Sequence, residues 1–211
     1  MKKSILSLAA VAVFGLFMTS CEPDVTFEGI DVTFEGINDI VVDLGSTDAD
    51  VLAGVTASND AEVTVTGIDY DKAGEHNAIF TAKDATAEAV VKIKTDKLVG
   101  NYECTLTVDG EQEPGVAQIE IKQSSTTYNK ILIEKYLANA SIEAVCNGTD
   151  ITIDEFNISV DYEGETYTAK VTGIGNFVKL EGGSYAIEQI TFTLVWSFGE
   201  TSVEVLDCTK L

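Results

Sequence analysis

Chemistry in this chain has to come from carboxylates, thiols, one imidazole and a row of aromatic side chains. The 211 residues include one His, four Cys and 35 Asp and Glu. A Ser-His-Asp or Cys-His site needs an imidazole beside its nucleophile. His76 is the single candidate, and residues 98–211 contain no His. The expected role of His76 is therefore that of a structural hydrogen-bonder. Two carboxylates suffice for glycoside hydrolysis, and Asp154-Glu155 is the most conspicuous pair. Neighbours on a strand point to opposite faces, which makes it a poor dyad. No HExxH, P-loop or GxSxG motif is present. Oxygen ligands crowd at Asp48-Asp50, Asn59-Asp60 and Asp69-Asp71, but without an EF-hand order. Acids favour turns in any case, so these read as solvated loop carboxylates. There is no CxxC, hence no zinc or redox motif. The expectation is a non-enzyme with no cofactor and no metal. The candidate ligand row is the stripe Phe192, Leu194, Trp196 and Phe198, which could line a barrel cavity or form plain core. Tyr128, Tyr136 and Tyr185 lie near turns, where a ring could stack on a sugar.

The cysteines divide into two kinds. Cys104, Cys146 and Cys208 are an odd number, of which an oxidising compartment permits one pair. First and last strands often neighbour each other in a closed barrel, so Cys104–Cys208 is the preferred disulfide; three free thiols are the alternative. Cys21 ends a different pattern. Lys2-Lys3 precedes an uncharged apolar run, Ile5 to Met18, and the small residues Thr19-Ser20. That is the order of a secretion signal, and the run is short for a membrane span. Leu16-Phe17-Met18-Thr19-Ser20-Cys21 resembles the lipobox of bacterial lipoproteins, with Met18 where Leu is commoner. The resemblance implies cleavage before Cys21, lipidation of its thiol and a multiply acylated, stable anchor. Glu22-Pro23-Asp24 resembles export signals of surface lipoproteins. The expected location is the outer membrane, on its cell-surface or its periplasmic face.

Net charge is −22, and loss of Lys2 and Lys3 with the leader takes it to −24. All 13 basic residues are Lys. Without Arg forks, and with a repulsive net charge, nucleic acid and anionic lipid surfaces are excluded as partners. The acidity itself serves solubility. The expected partners are the membrane through the N-terminal lipid, and a glycan or another envelope protein; the expected state is a monomer.

The elements that would position these groups are strands. Residues 24–30 and 31–37 repeat Asp-Val-Thr-Phe-Glu-Gly-Ile. Two copies cannot make a solenoid; one copy should be the first strand of a domain and the other a tether. Val63 to Thr66, Ile79 to Ala82 and Ala89 to Lys94 are short β-like runs, separated by turn signals at Asn59-Asp60, Asp71 to Gly74 and Asp84. Leu44-Gly45-Ser46, Leu52 to Ala57, Asp71-Lys72-Ala73-Gly74 and Phe80 to Asp84 resemble the bacterial Ig-like repeat of surface proteins. The resemblance implies a β-sandwich spacer over 31–97, with Val32 to Gly36 as the docked copy. His76 stands where that family has Tyr, and Ala85-Thr86 replaces its Gly-Asn turn.

Beyond Leu98 the alternation lengthens. Tyr102 to Val108, Ala117 to Ile121, Phe156 to Tyr162, Tyr167 to Val171 and Ile190 to Phe198 each show period two, one face buried and one wet. Glu163-Gly164-Glu165 signals a tight hairpin. About eight such strands close as a barrel or pack as a sandwich. The Leu98 to Tyr102 opening, Asn147 to Ile153 and Tyr167 to Phe177 resemble the calycin-like barrels of envelope lipoproteins. The reading is thus all-β: a signal peptide over 1–20, a tether over 21–30, an Ig-like sandwich over 31–97 and an antiparallel barrel or sandwich over 98–211. The expected function is non-catalytic binding or scaffolding in the envelope, accessory to glycan capture. A calycin-type carrier of a small apolar ligand is the alternative, and a carboxylate-dependent glycosidase the third reading.

Overall fold

Apolar residues from eight strands meet around one axis in the second half of the chain. The structure, a computed structural model, describes residues 32–137 and 140–211. The leader, Cys21 and the tether over 21–30 lie outside the described residues.

Two small sheets come first. One pairs β1 (Phe34–Glu35) with β3 (Thr56–Ala57). The other has the order β2 (Ile40–Asp43), β6 (Ala85–Lys94), β5 (Gly74–Ala82), β4 (Thr64–Thr66). A four-residue helix, α1 (Asp48–Val51), follows β2; Asp50 caps it by accepting the Thr47 N–H at 2.8 Å. β5 and β6 form an antiparallel hairpin, while β2 runs parallel to β6, from Ile40 opposite Val91 to Asp43 opposite Lys94. Alternation sorts the faces: Ala78, Phe80, Val91 and Ile93 are buried, whereas Ile79 and Val90 are exposed. β1 comes from the second heptad. Its Thr33 exchanges hydrogen bonds with Ser58, N–H to Oγ at 3.0 Å and Ser58 N–H to C=O at 2.9 Å. Phe34 and Ile37 pack half-buried on the core.

The second half is β7 (Gly100–Val108), β8 (Glu111–Gln112), β9 (Ala117–Gln123), β10 (Lys130–Glu134), β11 (Ile142–Asn147), β12 (Asp150–Tyr162), β13 (Glu165–Lys179), β14 (Tyr185–Trp196) and β15 (Thr201–Lys210). From β9 onward each strand is antiparallel to the next. β7 pairs with β9 on one side and with β15 on the other, from Tyr102 opposite Lys210 to Val108 opposite Glu204. Eight strands therefore close into a barrel, with β8 a short flap on β7. Closure leaves no free edge. The inward rows hold Tyr102, Ile119, Ile121, Ile131, Ile133, Ile151, Phe177, Ile190 and Phe192, each 2% exposed or less. An eight-stranded barrel is about wide enough for side chains to fill it.

Local sequence fixes the register. Glu163 and Gly164 have φ of 52° and 87°, the positive pair of a type I′ hairpin. That turn sets Tyr162 opposite Glu165, and hence Val160 opposite Tyr167. β12 bulges between Ile153 and Phe156. At Gly175 a Cβ would stand 2.5 Å from the Gln189 carbonyl oxygen, so only glycine lets β13 and β14 approach there.

The barrel has two unlike ends. At one, Ala73 and Gly148 exchange N–H to C=O bonds of 2.9 Å each. Asp71 accepts the Lys179 ammonium at 2.9 Å and the Tyr185 hydroxyl. Leu98 is fully buried, and its carbonyl accepts the Tyr102 hydroxyl at 2.7 Å. The small sheets thus cover this end, and they belong to one compact unit with the barrel. The opposite end carries the 163–164 and 197–200 turns.

Candidate functional site

The open end holds a cleft of about 420 Å³ lined by Val160, Tyr167, Trp196 and Phe198. This is within the size of small-molecule sites. Val160, Tyr167 and Trp196 stand near the ends of β12, β13 and β14 at the hairpin side of the barrel. Phe198 comes from the following turn. That turn is fixed by three backbone bonds: Ser197 N–H to Thr168 C=O at 2.8 Å, Gly199 N–H to Trp196 C=O at 2.9 Å and Trp196 N–H to Glu200 C=O at 2.8 Å. Phe198 is held there although 55% exposed. It lies nearly parallel to Trp196, centroids 5.9 Å apart at 17°, and meets Tyr167 edge-on at 5.8 Å and 89°. The polar atoms at the rim are themselves positioned. Trp196 Nε1 donates to Ser202 Oγ at 3.2 Å, and the Tyr167 hydroxyl donates to Glu165 Oε2 at 2.9 Å. The Glu165 carboxylate holds the Tyr167 phenol above its ordinary pKa.

Below the cleft the barrel is packed. Ile158, Ala169, Phe192 and Leu194 are buried. Tyr136 leans on Phe192 with centroids 5.2 Å apart, and its hydroxyl donates to the inward-pointing Glu204 carboxylate. Burial, reinforced by Glu204, pushes the Tyr136 phenol far up.

The structure divides the stripe singled out in the sequence. Phe192 and Leu194 are core, whereas Trp196 and Phe198 line the cleft. The three tyrosines near turns are engaged elsewhere. Tyr136 covers Phe192, Tyr185 is buried at the joint with Asp71, and Tyr128 faces the Lys92 ammonium. The ring the sequence reading missed as a site residue is Tyr167. Its signal was the two-residue hairpin, which places it opposite Val160 and so at the same end as Trp196.

Cys104 and Cys208 face each other across the β15–β7 pair and form a disulfide that staples the closure. Cys146 is a buried free thiol. His76 spans its own turn: Nδ1 faces the Asp69 N–H at 3.4 Å and Nε2 the Lys72 carbonyl at 3.0 Å. Of the crowded loop acids, Asp48 accepts the Tyr70 hydroxyl, Asp50 caps α1, Asp69 pairs with Lys72 and Asp71 holds the joint. Among the described residues, no group of three or more His, Cys, Asp or Glu could hold a metal ion. Asp154 and Glu155 do not point to opposite faces. The β12 bulge turns both outward, beside a surface groove of about 290 Å³ shared with Lys130, Glu143 and Phe156. Glu155 is paired with Lys170 at 2.9 Å.

A closed antiparallel barrel with one covered end and one aromatic mouth is the class of protein these features define. Compared with family models, curated proteins and solved structures, the chain has no significant match. Among the described residues no helix is long and apolar enough to cross a membrane.

Proposed function

We propose that this is a lipid-anchored binding protein of the cell envelope that captures a glycan at the open mouth of its barrel. The carrying observation is the cleft of Tyr167, Trp196 and Phe198: three rings, fixed by backbone and side-chain bonds, on one accessible end. Aromatic faces cover the apolar face of a sugar, and the rim supplies the Tyr167 hydroxyl and the Glu165 carboxylate for its hydroxyls. The lining has no nucleophile beside a base, which supports a non-catalytic role. The leader and Cys21 support the anchor. In this reading residues 31–97 are an Ig-like spacer and 98–211 a calycin-like barrel. The parallel β2–β6 pair and the two small sheets favour the first assignment, and the eight-stranded next-neighbour order favours the second.

A carrier of a small apolar ligand is the second reading, favoured by the apolar lining of the same cleft. The packed rows below it leave such a ligand at the mouth and not in the barrel. A thermal-shift screen of residues 22–211 against glycans, fatty acids and sterols separates the two, because a ligand that binds only the native state raises Tm by mass action. A glycan-induced shift that disappears in Phe198→Ala supports the first reading. A shift with fatty acid alone replaces it by the second.

A further inference from the structure

The two segments that build the mouth, residues 156–168 and 195–203, carry Asp161, Glu163, Glu165 and Glu200 and not one Lys. The chain has no Arg to bring in from elsewhere. Glu165 accepts the Tyr167 hydroxyl at 2.9 Å, which places a carboxylate at the edge of a cleft ring and raises electron density on its face. Trp196 and Phe198 lie nearly parallel beside it. Ring faces attract cations through their quadrupole, Trp most strongly, and aromatic cages are a recurrent way of holding ammonium groups. Asp161 accepts the Thr166 hydroxyl at 2.6 Å on the opposite face of the same hairpin, adding to its negative charge. A ligand carboxylate or phosphate would meet the Glu165 carboxylate at the cleft edge, with Asp161, Glu163 and Glu200 nearby in the chain and no counter-charge in these segments. A cation meets the reverse, inside the attractive field of a strongly acidic protein.

We infer that the group seated in the Tyr167–Trp196–Phe198 cleft is an organic ammonium, carried either on an amino sugar or on a small quaternary amine. This rests on the mouth being the ligand site, and it narrows the glycan reading to one with free amino groups. Anionic ligands such as a fatty-acid carboxylate are disfavoured by the same charges.

Trp196 is the only tryptophan, so intrinsic fluorescence reports on this cleft and nowhere else. The full chain is titrated with choline, a glucosamine oligomer, the corresponding N-acetylglucosamine oligomer, a neutral glucose oligomer and laurate, with calorimetric heat as the second readout. Saturable signals are expected from choline, from the glucosamine oligomer, or from both, and which of them responds identifies the carrier of the ammonium. Affinity should fall several-fold from 50 to 500 mM salt, since the rim charges are exposed. Phe198→Ala should weaken binding about tenfold, the scale of one well-placed ring. Glu165→Gln should weaken the cations several-fold and leave any neutral oligomer unchanged. Equal binding of the acetylated or glucose oligomer overturns the ammonium inference and leaves glycan capture standing. A response to laurate alone overturns it in favour of the apolar carrier. Silence with every probe by both readouts overturns the ammonium inference together with the reading of the mouth as a site.

Discussion

Cys146 points inward from β11 into the hydrophobic core, and its backbone is satisfied on both sides by Asn129. Burial pushes its thiol up to about 12. The thiolate is the reactive species, so this cysteine is inert while the barrel is folded. In a Cys21→Ala background, a thiol reagent at pH 8 should leave the native protein unmodified and label one thiol once denaturant is added. Labelling of the native protein at the rate of an unfolded thiol would mean that the interior opens freely. The linkage has a definite sign. The folded pKa lies above the unfolded one, so the unfolded state loses its proton first as pH rises. The stability this thiol contributes is therefore present below its unfolded pKa of about 8.5 and lost progressively above it. The neighbouring disulfide behaves differently. Cys104 and Cys208 sit 104 residues apart in sequence but opposite one another in register, so their bond withdraws a long loop's freedom from the unfolded chain.

At the level of elements, the covered end of the barrel is a joint centred on Asp71. Its carboxyl is held below the usual range by the Tyr185 hydroxyl and then by the Lys179 ammonium. A depressed carboxylate stabilises the fold above its unfolded pKa, and that contribution is lost as pH falls through the lower folded value. Asp71→Asn should cost about 1 kcal/mol at pH 7, a figure kept small because the side chain is 46% exposed. It should also flatten the loss of stability below about pH 4. Denaturation midpoints at pH 7 and pH 3 check both, and an unchanged acid limb would detach Asp71 from the joint. Much of this architecture was legible as alternation. β7, β9 and β14 repeat every second residue because one face of each is core. β15 was hidden because its inward row mixes Ser202, Glu204, Leu206 and Cys208. β10 was hidden because Ile131-Leu132-Ile133 is apolar without alternating. The parallel partner of β2 leaves no local trace, since pairing is a long-range choice. The bulge that turns Asp154 and Glu155 to one surface left none either. At the mouth, Trp196 and Phe198 were visible as aromatic residues. Tyr167 became a site residue only through the hairpin register.

For the whole molecule, the two ends of the barrel are unlike. The small sheets cover one end of the barrel, and the cleft opens at the other. Cys21→Ala should shift the protein from the membrane fraction to the soluble one, read by fractionation and immunoblotting. Persistence in the membrane fraction would overturn the lipid anchor. The parallel pairing of β2 with β6 then acquires a mechanical meaning. A ligand gripped at the mouth while the N-terminus is fixed in a membrane puts the chain under tension. The pull enters β2 at Ile40 and leaves β6 at Lys94, drawing the two strands along their shared axis in opposite directions. Bonds in such a pair resist in shear, all together, where an antiparallel hairpin would unzip one rung at a time. The Asp43–Lys94 ion pair, 2.6 Å long, adds a rung at the exit. If the proposed anchor and glycan capture hold, this parallel pair lies along the line of force that a captured polymer would impose.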